Sequence, residues 1–225
     1  SFIKTLMGVI FPLITYPYAL RVLGPDGTGK VDYAQANITY FTLIGAFGIA
    51  SYAIREGARI RDDKEKMNKF ASQMFSINIC SMVIACFLAG IMIFIPYFRN
   101  YQALLFIFSL TIVLSSIGVE WIYNIYEDYK YITIRTVLFQ LVSVILLFVF
   151  VKDKDDYVIY AAILVLSSVG SNILNFFRAR RYVKLSIGFN KDLLVHIKPM
   201  TLIFVMNVAS SIYLIMDRSM LGYMT

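Results

Sequence analysis

Residues 70–96 read FASQMFSINICSMVIACFLAGIMIFIP, without one Asp, Glu, Lys, Arg or His. Lipid offers no partner to backbone N–H and C=O groups, so a run of about 20 such residues crosses a bilayer as an α-helix that satisfies them internally. Working outward, similar apolar blocks recur at 3–23, 32–54, 102–125, 135–151, 157–177 and 200–223. With short polar connections between them, they predict seven spans and an all-α integral membrane protein, a multi-span helical bundle. A β-barrel needs short segments of alternating polarity, which these blocks are not. Composition agrees. Of the 225 residues 59% are hydrophobic and 16% charged, with a mean hydropathy of +0.71, against about 45–50% apolar and 25% charged in soluble domains. The chain opens at Ser1 inside one apolar run and stops at Thr225 just after another, so a fragment is expected. The first segment has no cleavage site and leads into further spans, so no signal peptide is expected.

Basic residues set the predicted orientation. Arg55, Arg59, Arg61, Lys64, Lys66 and Lys69 follow the second span; Lys130 and Arg135 follow the fourth; Arg178, Arg180, Arg181, Lys184, Lys191 and Lys198 follow the sixth. The three other connections carry Arg21 and Lys30, Arg99, and Lys152 and Lys154. Fourteen against five places the first group, and the start of the chain, in the cytoplasm. The net charge of +7 is then topology, and nucleic acid is not expected as a partner. Residues 178–199, where arginines alternate with Tyr182, Val183 and Leu185, suit a surface helix on the headgroups or a solvated linker. Cys80 and Cys86 fall on different faces of one span, and His196, the only histidine, is placed in a basic loop. No metal or cofactor is expected. Gly24-Pro25-Asp26-Gly27-Thr28-Gly29-Lys30 resembles a phosphate-binding loop, but Val31 stands where Ser or Thr must bind magnesium and no strand precedes it. It is read as a tight turn between the first two spans.

Polar groups inside spans are costly and usually face a bundle interior or hydrated cavity. Asp32, Gln35, Thr39 and Thr42 share one face of the second span, Ser116, Glu120 and Asn124 one face of the fourth, and Ser168, Asn172 and Asn175 one face of the sixth. Asn207, Ser211 and Arg218 form a broader stripe in the seventh, with Asp217 beside it. The cavity candidates are Lys4, Arg21, Asp32, Gln35, Arg55, Glu120, Asn124, Asn172, Asn207, Asp217 and Arg218. Interhelical hydrogen bonding is the competing account for the neutral ones, and headgroup anchoring for Lys4, Arg21 and Arg55. Pro12 and Pro17 predict a bent or broken first span that gates the cavity. The first and seventh spans share a lysine near the start, Lys4 and Lys198, and a Leu-Gly end at 23–24 and 221–222, as an internal duplication leaves.

Tyr16-Pro17-Tyr18-Ala19-Leu20-Arg21-Val22-Leu23-Gly24, followed by Gly27-x-Gly29-Lys30-Val31-Asp32-Tyr33-Ala34-Gln35, Phe47-Gly48-Ile49 and Tyr52-Ala53-Ile54-Arg55-Glu56, resembles the N-terminal region of Wzx-type polysaccharide-unit flippases of the MOP exporter superfamily. Met216-Asp217-Arg218-x-Met220-Leu221-Gly222 is similar to that family too. The resemblance implies a two-lobe, MATE-like transporter. Residues 1–177 are then its first six-helix lobe, 178–199 a basic cytoplasmic linker, and 200–225 the first helix of the second lobe. It also implies a bacterial inner membrane, and translocation of an undecaprenyl-pyrophosphate-linked oligosaccharide from the cytoplasmic to the outer leaflet. The implied partners are that lipid-linked substrate, membrane lipids, and the polysaccharide polymerase and chain-length machinery. In that frame Lys4, Arg55, Arg21 and Arg218 supply cations for pyrophosphate, balanced by Glu120 and Asp217 while the cavity is empty. The alternatives are a drug or cation antiporter of the same superfamily and a membrane-embedded polysaccharide enzyme. No catalytic constellation appears in the short outer loops, so an enzyme is not expected.

Overall fold

A computed structural model of the chain describes the backbone of residues 2–188 and 191–224 and the side chains of 5–188 and 192–211. Every regular element among them is helical. Helix α1 (Phe2–Ala46) contains the first predicted span and most of the second, whose last residues fall in the next helix, and its one residue with non-helical torsions is Gly24, at φ 74° and ψ 175°. Tyr16 and Asp32 would stand ~24 Å apart along a straight helix rising about 1.5 Å per residue. Instead the Tyr16 hydroxyl lies 3.5 Å from the Asp32 carboxylate, so the chain doubles back at Gly24. The turn expected over 24–30 thus shrinks to one glycine, the residue that tolerates positive φ. Pro25 opens the second limb, where its missing N–H costs nothing. Of the bend or break expected at Pro12 and Pro17, the break is not there; the first limb stays helical through both. A proline forfeits one hydrogen bond, whereas a break in lipid strands a whole turn of backbone.

Two further interruptions are left-handed. Phe47 and Gly48, at φ 41° and 68°, separate α1 from α2 (Ile49–Ile60). Asp63 then caps α3 (Lys64–Phe94), accepting the Lys66 N–H at 3.1 Å, and α3 stops ahead of Pro96. A 3-10 turn leads into α4 (Gln102–Ile117). Val119, at φ 39°, cuts the fourth predicted span, and α5 (Glu120–Ile125) follows. Helix α6 (Tyr129–Phe150) begins six residues ahead of the predicted 135, which carries Arg135 out of the expected loop and into the bundle. Helix α7 (Tyr157–Val165) passes through a π-helical turn, Leu166–Gly170, into α8 (Asn172–Ala179). Residues 183–188 have no regular structure, so of the two readings of 178–199, surface helix or solvated linker, the helix is not formed over these described residues. Helix α9 (Leu194–Met224) starts earlier than predicted and takes His196 into its first turn.

Six stretches among the described residues are long and apolar enough to cross a membrane, the first of them the 56-residue Thr5–Ile60. Because that stretch doubles back, the six provide seven crossings. This is a multi-pass α-helical membrane protein. Its interior has two apolar clusters. One, including Met67, Met74, Trp121, Ile122 and Ile125, sits at the end with the basic connections. The other, including Val31, Leu104, Phe108, Leu147 and Tyr160, sits at the opposite end. Leu138, Val142, Ile145 and Phe148 of α6 point outward and match lipid. Between such helices lipid removes most of the hydrophobic driving force, so packing and hydrogen bonds hold them together.

Candidate functional site

Between the two apolar clusters lies a layer of buried polar side chains, and it coincides with the helix interruptions. A helix end leaves its last four carbonyls without intrahelical partners, which is costly in a membrane. Helix α3 answers two of these ends. Ser81 Oγ donates to Gly45 O in the last turn of α1 at 2.7 Å, and Asn78 Nδ2 donates to Ser116 O in the last turn of α4 at 2.7 Å. Tyr123 donates to Asn175 O at 2.6 Å, tying α5 to α8.

The charged part of the layer is built on α5, α6 and α8. Glu120 is the first residue of α5, set there by the left-handed turn at Val119. Its Oε2 receives Arg135 Nη2 at 3.1 Å, and Arg135 Nη1 donates to Asn172 Oδ1 at 3.0 Å. The Arg135 side chain is 3% exposed and that of Glu120 34%. The pair is therefore asymmetric, with the guanidinium enclosed and the carboxylate reaching an opening. That opening is a cavity of about 110 Å³ whose lining includes Glu120, Asn78, Ser115, Ser116 and Ala46. Ala46 continues the helical face of Asp32, Gln35, Thr39 and Thr42, so a polar stripe on the second limb of α1 ends at the cavity. Asp32, Gln35 and Thr39 are exposed, and Thr42 meets Thr111 at 3.4 Å. Three residues of this layer also carry a buried polar atom without a partner: Arg135 Nε, Asn175 Oδ1 and Trp121 Nε1.

Of the expected cavity residues, Glu120 and Asn172 meet, joined through Arg135. Asn124 lies next to them but folds its Nδ2 back onto Glu120 O at 3.1 Å. Asp32 and Gln35 lie along the stripe, and Arg21 is exposed near the Gly24 reversal. Arg55 is exposed on α2 and pairs with its neighbour Glu56 at 3.0 Å. Asn207 is exposed on α9. The side chains of Lys4, Asp217 and Arg218 lie outside the described residues. Sequence reasoning missed Arg135 and Asn78. The signal for Arg135 was length: a span of 135–151 is short for a bilayer that needs about 20 residues, and extending it toward Tyr129 buries the arginine.

At the basic end, Asp128 caps α6, accepting the Tyr131 N–H at 3.3 Å, Arg178 Nη2 at 3.2 Å and the Tyr182 hydroxyl at 2.7 Å. Partial burial pushes its carboxyl up, but these three donors outweigh it and hold it below the usual carboxylate range. His196 Nδ1 lies 2.8 Å from the Tyr52 hydroxyl and its Nε2 3.2 Å from Gln73 Oε1, so the histidine docks α9 against α2 and α3. Among the described residues no group of His, Cys, Asp and Glu is arranged to hold a metal ion.

Polar and charged groups inside a membrane bundle usually face its interior or a hydrated cavity, and comparison with known proteins gives the family. All of residues 1–225 match the family model described as polysaccharide biosynthesis protein. The chain belongs to this family. Two curated relatives carry the name "Putative O-antigen transporter". The one from Escherichia coli K12 is 27% identical over 151 residues, 67% of this chain and 36% of the relative. The one from Shigella dysenteriae is 26% identical over 221 residues, 95% of this chain and 54% of the relative. The chain thus spans about half the length, or less, of these two relatives. No solved structure matches it.

Proposed function

We propose that this polysaccharide biosynthesis family member acts in a flippase. It would carry polyprenyl-pyrophosphate-linked oligosaccharide units from the cytoplasmic to the outer leaflet of a bacterial inner membrane, with its N-terminus in the cytoplasm. The observation that carries this reading is the Glu120–Arg135–Asn172 cluster beside a cavity that prolongs the α1 polar stripe. A glycan head needs hydroxyl, amide and carboxylate partners along its route, which the stripe offers, while its polyprenyl tail can stay in lipid. A diphosphate suits a guanidinium, whose planar fork donates two parallel hydrogen bonds. The enclosed Arg135 holds Glu120 and Asn172 at the cavity edge, and Lys4, Arg21, Arg55 and Arg218 stay the proposed cations for the diphosphate. Residues 1–177 form the lobe, 178–199 its linker, and α9 begins the next unit. The names of the relatives favour a transporter over an enzyme.

One observation favours a second reading. The third of Glu120 that is exposed presents a carboxylate to the cavity, as a cation antiporter of the same superfamily would want. The readings separate in a strain lacking its own flippase, complemented with full-length protein carrying Arg135→Gln or Glu120→Gln at matched membrane levels. The flippase reading expects surface polysaccharide to fall at least tenfold in R135Q, the loss of a charge-assisted contact worth about 1.5–3 kcal/mol. Normal surface polysaccharide in R135Q, with loss of resistance to cationic dyes in E120Q, would overturn it in favour of the antiporter.

A further inference from the structure

Residues 183–188 are strapped along α3 by a polar ladder. Asn68 Oδ1 accepts the Lys184 N–H at 2.8 Å, and Ser76 Oγ accepts the Gly188 N–H at 3.1 Å. Between them Ser72 Oγ accepts the Ser186 N–H at 3.2 Å and donates to Lys184 O at 3.1 Å. Residues 68, 72 and 76 recur every four positions, ~6 Å along a helix. Residues 184, 186 and 188 recur every two, ~6.6 Å along an extended chain. The two repeats match, so three turns of α3 hold three alternate residues of the strap.

Between strap and helix lies a groove of about 310 Å³, lined by the ladder residues other than Ser76 together with Lys69 and Gln73. No carboxylate lines it among the described residues. Gln73 gives its Oε1 to His196, which leaves its amide NH2 as a donor. Lys184 spends only backbone atoms on the ladder, and its ammonium has no ion pair among the described residues. Lys69 reaches Asp192 at 2.9 Å across an adjoining hollow, an exposed pair that solvent screens. Exposed apolar side chains stand close by in the chain: Ile187, Leu194 and Val195. Two ammonium groups, an amide donor and an apolar margin at one end of a membrane bundle are the makings of a headgroup site.

We propose that this groove binds a phosphate whose charge is not offset by a cation of its own, the group carried by anionic phospholipid headgroups. The alternative is that Lys69 and Lys184 are ordinary solvated charges at the basic end. The test is the unfolding midpoint of purified full-length protein in neutral detergent, titrated separately with phosphatidylglycerol, phosphatidylcholine and inorganic pyrophosphate. Phosphatidylglycerol should raise the midpoint and phosphatidylcholine should not. Lys184→Ala should weaken the response about fivefold, the effect of one basic residue near an anionic surface, and Lys184→Arg should restore it. Lys130→Ala, an exposed lysine at the same end but outside the groove, should leave it unchanged. A response to pyrophosphate with the same dependence on Lys184 keeps the site and makes its ligand a soluble phosphate. No response to either compound, or equal loss in K184A and K130A, overturns the proposal.

Discussion

Gly118 shows how much can hang on one missing methyl group. A Cβ built there would lie 2.5 Å from Asn172 Cγ, and Asn172 is the group that holds Arg135 Nη1. Gly118→Ala should therefore push Asn172 off the guanidinium and cost about 1–3 kcal/mol, the usual range for overpacking, read as a lower unfolding midpoint in detergent. Arg135 and Glu120 make a sharper test. Removing Glu120 leaves the enclosed Arg135 guanidinium without its carboxylate, about 3–5 kcal/mol, whereas neutralising both is far milder. The single variant E120Q should be less stable than the E120Q/R135Q double variant, and an additive double variant would contradict the pairing. Glu120, Asn172 and Asn175 were legible in the sequence because a polar residue in an apolar run at helical spacing announces itself. Arg135 was not, because one basic residue at the edge of a hydrophobic block reads equally well as a loop charge.

At the scale of elements, the spans were legible and their interruptions were not. Apolar length reveals a crossing, but a left-handed residue such as Val119 leaves no compositional trace, and the prolines that do leave one stayed helical. The breaks depend on capture of the freed carbonyls by another helix, a pairing that only the fold brings about. Asn78→Leu removes the donor to Ser116 O while keeping the side chain branched at Cγ. It should cost about 1–3 kcal/mol for the carbonyl left unsatisfied and speed backbone hydrogen exchange around 116–120; unchanged exchange there would remove α3 from this role. The junction of α6 and α8 has its own pH dependence. Asp128 has a folded pKa below its ordinary 3.8, so the stability it contributes is present above that value and lost as pH falls through the lower folded one. Asp128→Asn should flatten this acid limb of the stability curve. An unchanged limb would mean that the donors around Asp128 contribute nothing to folding.

For the whole molecule the open quantity is orientation. The proposal of a cytoplasmic N-terminus rests on the bias of Lys and Arg between the two ends. Arg135 does not belong in that tally, because it is paired in the interior, yet thirteen against five keeps the same sign. Single cysteines at 64 and 184 should resist an impermeant maleimide in intact cells, and cysteines at 26 and 155 should react, in a background lacking Cys80 and Cys86. Labelling at 64 with none at 26 would invert the protein and reverse the proposed direction of transport.

The reversal at Gly24 also bears on how the protein is made. With one non-helical residue between its limbs, α1 has almost no loop to thread through the bilayer, so the two spans are suited to insert together as a helical hairpin. Its tip carries Arg21, Asp26, Lys30 and Asp32. These sum to zero, and two of them are already joined, Lys30 to Asp26 at 2.7 Å. In the proposed orientation the tip must travel to the far side during synthesis. A neutral tip does so without electrical work against or with the membrane potential, which would otherwise contribute about 2.3 kcal/mol per charge for each 100 mV. Insertion of this first pair should accordingly be indifferent to dissipation of the potential, and an added charge at position 29 should make it sensitive, with a sign set by that charge.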